Sequence, residues 1–367
     1  NRLNLFDKKY PEEVITKKRN IYNIKWNTIK NSIYAVDIEN SAVDITKLRL
    51  WLSIVVDQVE VPITGPEPLP NLDGGTIKQG RKTVNVSANQ IEFGDGQKRV
   101  QIDELIRLKQ DLYGTNDPNR KKELLEKVEA SRKELLKLNF SYTKVEKEFF
   151  EIDKSHNKPY FAWMLEFVEV YIENDGFDIV IGNPPYVDYR KIDNITKKYL
   201  ENNSICAEKS KTASLYTYFI EKGIGLCNNI GNLIYINPYQ YLSADSGIGL
   251  RKMLFNNNIG IKKIIDVSNI KVFNSADTYT CINSFEKKYI NRIEVYKPKN
   301  IYKLEDNFRE LDYEKCRCET NCKIVLNNNA IVCKLDLIET KLDDYVDIFC
   351  GSSASGLNKL IIGEKKY

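Results

Sequence analysis

Gly176-Phe177-Asp178-Ile179-Val180-Ile181-Gly182-Asn183-Pro184-Pro185-Tyr186-Val187 decides how this chain is read. Phe177–Ile181 has the length and apolar content of a strand and is bounded by glycines. Asn183-Pro184-Pro185-Tyr186 follows it without a spacer. In open α/β sheets, ligands bind beyond the carboxyl ends of the strands, so a polar and aromatic cluster at this point occupies a binding position.

The chemistry open to these four residues is specific. An aromatic amine is a poor nucleophile because its lone pair is delocalised into the ring. The Asn183 side-chain oxygen and the Pro184 carbonyl are two acceptors for its two protons, and accepting both raises electron density on nitrogen. Pro184 and Pro185 fix the backbone, so the acceptors converge at little ordering cost. Tyr186 offers a ring on which an extruded base could stack. The plain alternative is a Pro-Pro turn after a strand.

Outward from this point the α/β pattern extends in both directions. Ile33-Tyr34-Ala35-Val36 reads as a short strand ending in Asp37. Ser41-Ala42-Val43-Asp44 then reads as a capping box. Ala42, Ile45, Leu48, Leu52, Val55 and Val56 recur at helical spacing, so strand and helix make half of a βαβ unit. Residues 10–31 show no clear period, and 62–75 is a Pro- and Gly-rich loop. Between 101 and 150, leucines at helical intervals, broken at Gly114-Thr115-Asn116-Asp117-Pro118, predict a helical hairpin inserted in the core. Its charge runs read as two solvated faces.

Beyond the motif, 213–227 is predicted as a helix and Leu233–Ile236 as a strand closed by Asn237-Pro238. Residues 247–257 read as a helix, and Ile261–Val267 and Thr278–Phe285 as strands. The expected fold is α/β: a doubly wound, mainly parallel, Rossmann-like sheet with a helical insertion at about 100–150. The composition shifts near 311, which divides the chain into 1–310, a catalytic domain, and 311–367, a linker and the start of a second domain.

Composition narrows the class without naming it. The 367 residues are 42% hydrophobic and 29% charged, with a net charge of +4. That charge permits a nucleic-acid partner and does not argue for one. No apolar run is long enough for a membrane span and no signal peptide opens the chain, so a cytoplasmic protein is expected. The eight cysteines are irregularly spaced, as in a reduced protein. Cys316, Cys318 and Cys322 lack zinc spacing and a nearby histidine, so no metal is expected. The single histidine, His156, lies in a polar stretch and reads as solvated.

Taken together, these strings resemble the gamma-ordered N6-adenine DNA methyltransferases, in particular the type IIG restriction–modification enzymes and the BREX-type methylases. The 176–187 string resembles their catalytic block. Tyr34-Ala35-Val36-Asp37-Ile38, with Ala42-Val43 and Lys47-Leu48-Arg49-Leu50-Trp51-Leu52, resembles their acidic strand end and following helix. Pro68-Leu69-Pro70-Asn71-Leu72-Asp73 resembles the next block. Ala213-Ser214-Leu215-Tyr216 through Gly231-Asn232-Leu233-Ile234 resembles the post-catalytic helix and strand. The resemblance runs from about 31 to about 362.

That resemblance implies S-adenosyl-L-methionine as methyl donor and double-stranded DNA with a flipped adenine as substrate. It implies Asn183, Pro184, Pro185 and Tyr186 as the catalytic group, with Tyr186 and Phe273 stacking on the base. Asp37 would take the donor's ribose hydroxyls, with Ile38 beside it and Asp73 on the donor's adenine side. Three features depart from the family. The Gly-rich donor loop that should precede the Asp37 block is missing; Phe93-Gly94-Asp95-Gly96 and Gly351–Gly356 do not follow suitable strands. Gly74–Arg81 matches poorly, and no nuclease motif is visible. With Asn1 in first position, these departures predict a piece of a longer protein. The rival readings are methylation of a protein glutamine or an RNA guanine, and a catalytically silent DNA-recognition subunit.

Overall fold

The computed structural model describes residues 21–56, 77–79, 96–115, 117–139, 161, 163–209, 212–272, 279–300, 302–318, 322–326, 346–350 and 360–364. Asp73, Phe273, His156, the 62–75 loop and Gly351–Gly356 lie outside the described residues.

The main body is a six-stranded sheet of β3 (Phe177–Gly182), β4 (Cys227–Pro238), β5 (Gly260–Asp266), β6 (Thr280–Glu286), β7 (Arg292–Tyr296) and β8 (Arg309–Asp312), in the order β3-β4-β6-β5-β7-β8. It is mixed, which corrects the mainly parallel sheet expected from the alternating pattern. β3 runs parallel to β4, and β5 to β7, while β6 is antiparallel to both of its neighbours and β8 is antiparallel to β7. The reason is local. A parallel return needs a crossover of a dozen or more residues, usually a helix. Among the described residues between Asp266 and Thr280 no helix forms, and β6 comes back antiparallel beside β5.

A second, two-stranded sheet holds β1 (Ala35–Asp37) parallel to β2 (Ile77–Gln79). It is flanked by α1 (Ile21–Asn31), in a stretch without visible period, and α2 (Asn40–Val55). The capping box expected at Ser41–Asp44 does not form. Helix α2 starts at Asn40, and its N-cap, Glu39, makes no side-chain bond. Instead the Glu39 amide donates to Asp37 Oδ1 at 2.8 Å, turning the chain out of the strand. The helix also buries a different side from the one its periodicity picks out. Val43 and Ile54 are buried with Ile29 and Ile77, while Ile45, Leu48, Leu52 and Val55 are exposed.

The helical hairpin is present as α3 (Gly96–Gly114) and α4 (Pro118–Asn139). It packs on the body through Ile102, Leu105 and Leu135 against Met164, Val168 and Tyr171 of α5 (Trp163–Glu166) and α6 (Val168–Asn174). Its charged residues are not all solvated, which corrects the expectation of two wet faces. Lys109 and Arg132 are buried. Glu166 takes Lys78 of β2 at 2.6 Å on one carboxylate oxygen and pairs with Arg132 on the other. Lys109 donates to the Glu166 carbonyl at 2.7 Å and pairs with Glu169. Burial, and then the neighbouring Lys78 charge, push the Lys109 ammonium down to about 8. The Glu166 carboxylate thus ties the hairpin and β2 to the end of α5, and Lys109 ties the hairpin to α6 through Glu169.

Helix α6 ends in a left-handed pair, Asp175 at φ 54 and Gly176 at φ 130, which turns the chain directly into β3. A Cβ on Gly176 would lie 2.8 Å from the Leu226 carbonyl, so only glycine fits. After β3 come α7 (Asn194–Asn203), α8 (Ile205–Lys209), α9 (Leu215–Leu226) and α10 (Ile248–Asn256); the sheet continues through Asp312, and Tyr313 packs its ring on Phe255 of α10 at 4.7 Å. A hairpin of β9 (Val346–Cys350) and β10 (Leu360–Glu364) is antiparallel. No helix among the described residues is long and apolar enough to cross a membrane.

Because Glu166 neutralises the buried Arg132 and the half-buried Lys78, Glu166→Ala should destabilise the protein by about 3–5 kcal/mol, as expected when one partner of a buried ion pair is removed. Urea unfolding measures this. A loss below about 1 kcal/mol, the range of exposed pairs, would show the cluster to be solvated.

Candidate active site

Among the described residues β3 stands at the edge of the main sheet and pairs only with β4, with Gly182 opposite Tyr235. Ile179 and Ile181 are 63% and 73% exposed. The chain leaves the sheet at Gly182 and enters Asn183-Pro184-Pro185-Tyr186. Asn183 and Pro185 are exposed, Pro184 is buried and Tyr186 is half-buried. A rigid buried proline thus stands behind an exposed amide at the strand's carboxyl end.

Two bonds hold this turn. The Tyr186 hydroxyl donates to the Ile236 carbonyl of β4 at 3.2 Å, one residue beyond the last β4 partner of β3. The Leu215 amide, at the start of α9 (Leu215–Leu226), donates to the Val187 carbonyl at 2.9 Å. Burial, and then the nearby Cys281 thiol, push the Tyr186 phenol up to about 12. The phenol therefore stays protonated near neutrality and acts as a donor, not as a base. After the turn, Asp188 Oδ1 accepts from the Arg190 amide at 2.9 Å and closes a short helical turn.

The base of the strand is fixed as well. Asp178 Oδ1 accepts from Asn174 at 3.0 Å and from Asn228 at 2.8 Å, and these amides hold its carboxyl below the usual range.

Asp37 and Ile38 sit at the carboxyl end of β1, both exposed. One carboxylate oxygen of Asp37 is engaged by the Glu39 amide, and the side chain faces solvent ahead of the α2 N-terminus. That arrangement fits a ligand carrying vicinal hydroxyls. The strands bearing Asp37 and Asn183 set off from one aromatic cluster. The Tyr34 ring meets Phe177 at 5.5 Å and Phe167 at 5.1 Å, edge to face. Sequence reasoning did not single out the Ile236 carbonyl or the buried polar residues behind it, Asn237 and Asn283. The one local signal was the Asn237-Pro238 strand end.

Against known proteins, residues 31–273 match the Eco57I restriction-modification methylase model. The chain belongs to the Eco57I restriction-modification methylase family. It is 32% identical over 136 residues to the type II restriction enzyme and methyltransferase RM.Eco57I of Escherichia coli, covering 36% of this chain and 13% of that protein. It is 34% identical over 148 residues to the type II methyltransferase M.HincII of Haemophilus influenzae, covering 40% and 29%. A putative type II restriction enzyme and methyltransferase, RM.MjaORFECS2P of Methanocaldococcus jannaschii, is 25% identical over 413 aligned residues, covering 93% and 34%. The chain therefore spans about a third or less of each of these relatives.

If the exposed Asp37 carboxylate receives the donor's hydroxyls, Asp37→Ala should weaken S-adenosylmethionine binding by about 1.5–3 kcal/mol, the range for hydrogen bonds to a charged group. Calorimetry on the intact protein tests this, and unchanged affinity would remove Asp37 from the site.

Proposed function

We propose that this chain is the catalytic part of a site-specific adenine methyltransferase. In this reading it transfers a methyl group from S-adenosyl-L-methionine to N6 of an adenine in double-stranded DNA, within a restriction–modification or phage-defence system. The observation that carries the reading is an exposed Asn183, followed by a buried Pro184, at the carboxyl end of β3, with Tyr186 pinned beside them by Ile236. Membership in a restriction-modification methylase family supports DNA as the substrate class.

Asn183 Oδ1 and the Pro184 carbonyl accept the two protons of the extruded adenine's amino group. This concentrates the lone pair on nitrogen and orients it for in-line attack. The donor supplies an electrophilic methyl on a sulfonium. As the N–C bond forms, the S–C bond breaks, the thioether leaves, and the amine sheds its proton afterwards. No strong base is required, which agrees with a tyrosine that remains protonated. The Tyr186 ring and Phe273 stack on the base. Asp37 holds the ribose hydroxyls, with Ile38 beside it, and Asp73 lies on the adenine side of the donor. Residues 311–367 lead from the catalytic body into the DNA-reading part, and their Tyr313 and Ile324 are buried in the main core.

Asn183 acts on charge that develops in the transition state, so Asn183→Ala should lower methyl transfer by about 10²–10³, as for one preorganised donor or acceptor. Folding and donor affinity should be preserved. The assay is transfer of labelled methyl to duplex DNA by the intact protein. A wild-type rate for Asn183→Ala would overturn the assignment.

A further inference from the structure

Behind the catalytic turn lies a chain of buried polar side chains. Asn237 and Asn283 are both 0% exposed. The Tyr241 hydroxyl donates to Asn283 Oδ1 at 2.9 Å, and Asn283 Nδ2 donates to Asn237 Oδ1 at 2.8 Å. Asn237 Nδ2 in turn donates to the Pro238 carbonyl at 2.9 Å. The Cys281 thiol lies 3.7 Å from the Asn237 carbonyl. At the far end, buried Arg251 of α10 holds the turn that carries Tyr241, donating to the Tyr241 carbonyl and to the Ala244 carbonyl at 2.9 Å. Each amide in the relay spends a donor or an acceptor on the next, so its direction is fixed from Tyr241 to the end of β4.

That end is where Tyr186 is held. The Ile236 carbonyl belongs to the peptide unit that ends at the Asn237 nitrogen, so fixing Asn237 fixes the plane of the acceptor for Tyr186. β3 does not secure it, because its pairing with β4 stops at Tyr235; the hold comes from the other side, where the β6 ladder pairs Ile236 with Ile282 and Asn237 with Cys281 and the Asn283 side chain reaches Asn237. We propose that Asn283 is a positioning residue for the catalytic turn. Acting through Asn237 and the Ile236 carbonyl, it sets the angle of the Tyr186 ring and so controls capture of the extruded base, without touching the donor. The proposal deepens the reading of the Asn183–Tyr186 site and rests on it.

A relay that only stabilises the core would act equally in any background, so a double-mutant cycle separates the two roles. The intact protein is prepared as wild type, Tyr186→Phe, Asn283→Leu and the double variant. The duplex contains the site first mapped by the methylation it leaves in plasmid DNA. Emission from a duplex with 2-aminopurine in place of the target adenine reports extrusion, kcat/KM on the duplex that keeps the adenine reports transfer, and calorimetry reports S-adenosylmethionine affinity. Asn283→Leu is expected to lower emission and kcat/KM by about tenfold, within the usual coupling range of contacting residues. Donor affinity should stay unchanged, and the double variant should be no worse than the weaker single one. Multiplying losses in the double variant, or an equal loss of donor binding, would overturn the proposal. Tyr241→Phe removes one hydroxyl with little change of volume and runs the same cycle if Asn283→Leu does not fold. Asn183→Ala is measured alongside. If it retains wild-type turnover, the site reading itself falls; if it is inactive while the cycle is additive, only the positioning role does.

Discussion

The parallel pairing of β3 with β4 is the constraint on which the rest depends. It sets Gly182 opposite Tyr235, so the chain leaves the sheet at Asn183 while β4 runs on through Pro238. The Ile236 carbonyl is left beyond the last β3 partner, and the Tyr186 hydroxyl takes it. A slip of one residue would turn every side chain of β3 to the opposite face and move the acceptor out of reach. Gly176 enforces the entry to that register from one side, and the Asp178–Asn228 bond clamps it at the base of the two strands.

Much of this was legible in the sequence, for physical reasons. Phe177–Ile181 stood out because both ends are glycine and the run is apolar. It is observed as Phe177–Gly182. The 213–227 helix appears as Leu215–Leu226, and Ile261–Val267 as Gly260–Asp266. β4 is longer than its apolar centre, beginning at Cys227. Residues 228–232 fell between the expected helix and strand, and Asn228 bonds Asp178 of β3 across the sheet. Strand direction was not legible from the alternation of strands and helices alone. Of the expected site, Asn183–Tyr186 are brought together on one turn, Asp37 and Ile38 lie on a separate strand end, and Asp73 and Phe273 fall outside the described residues.

The less legible part is tertiary electrostatics. Nothing in the spacing of Lys109 and Arg132 marks them as buried, because each is made tolerable by a residue far away in the chain, Glu169 or Glu166. The same holds for Asn237 and Asn283, separated by 46 residues and bonded at 2.8 Å. Buried polar groups of this kind are stable only when their partners are in place, and pairwise partners carry no local sequence period. The apolar residues of α2 mislead in the opposite way. Their period is helical, but the side that packs is the one bearing Val43 and Ile54.

The central claim is that the acceptors at Asn183 and Pro184 activate an exocyclic adenine amine. It is tested most directly by mass spectrometry of nucleosides from DNA incubated with the intact protein and isotopically labelled S-adenosylmethionine. The account predicts label in N6-methyladenine and in no other nucleoside. Label on cytosine, or on RNA or protein in place of DNA, would contradict it.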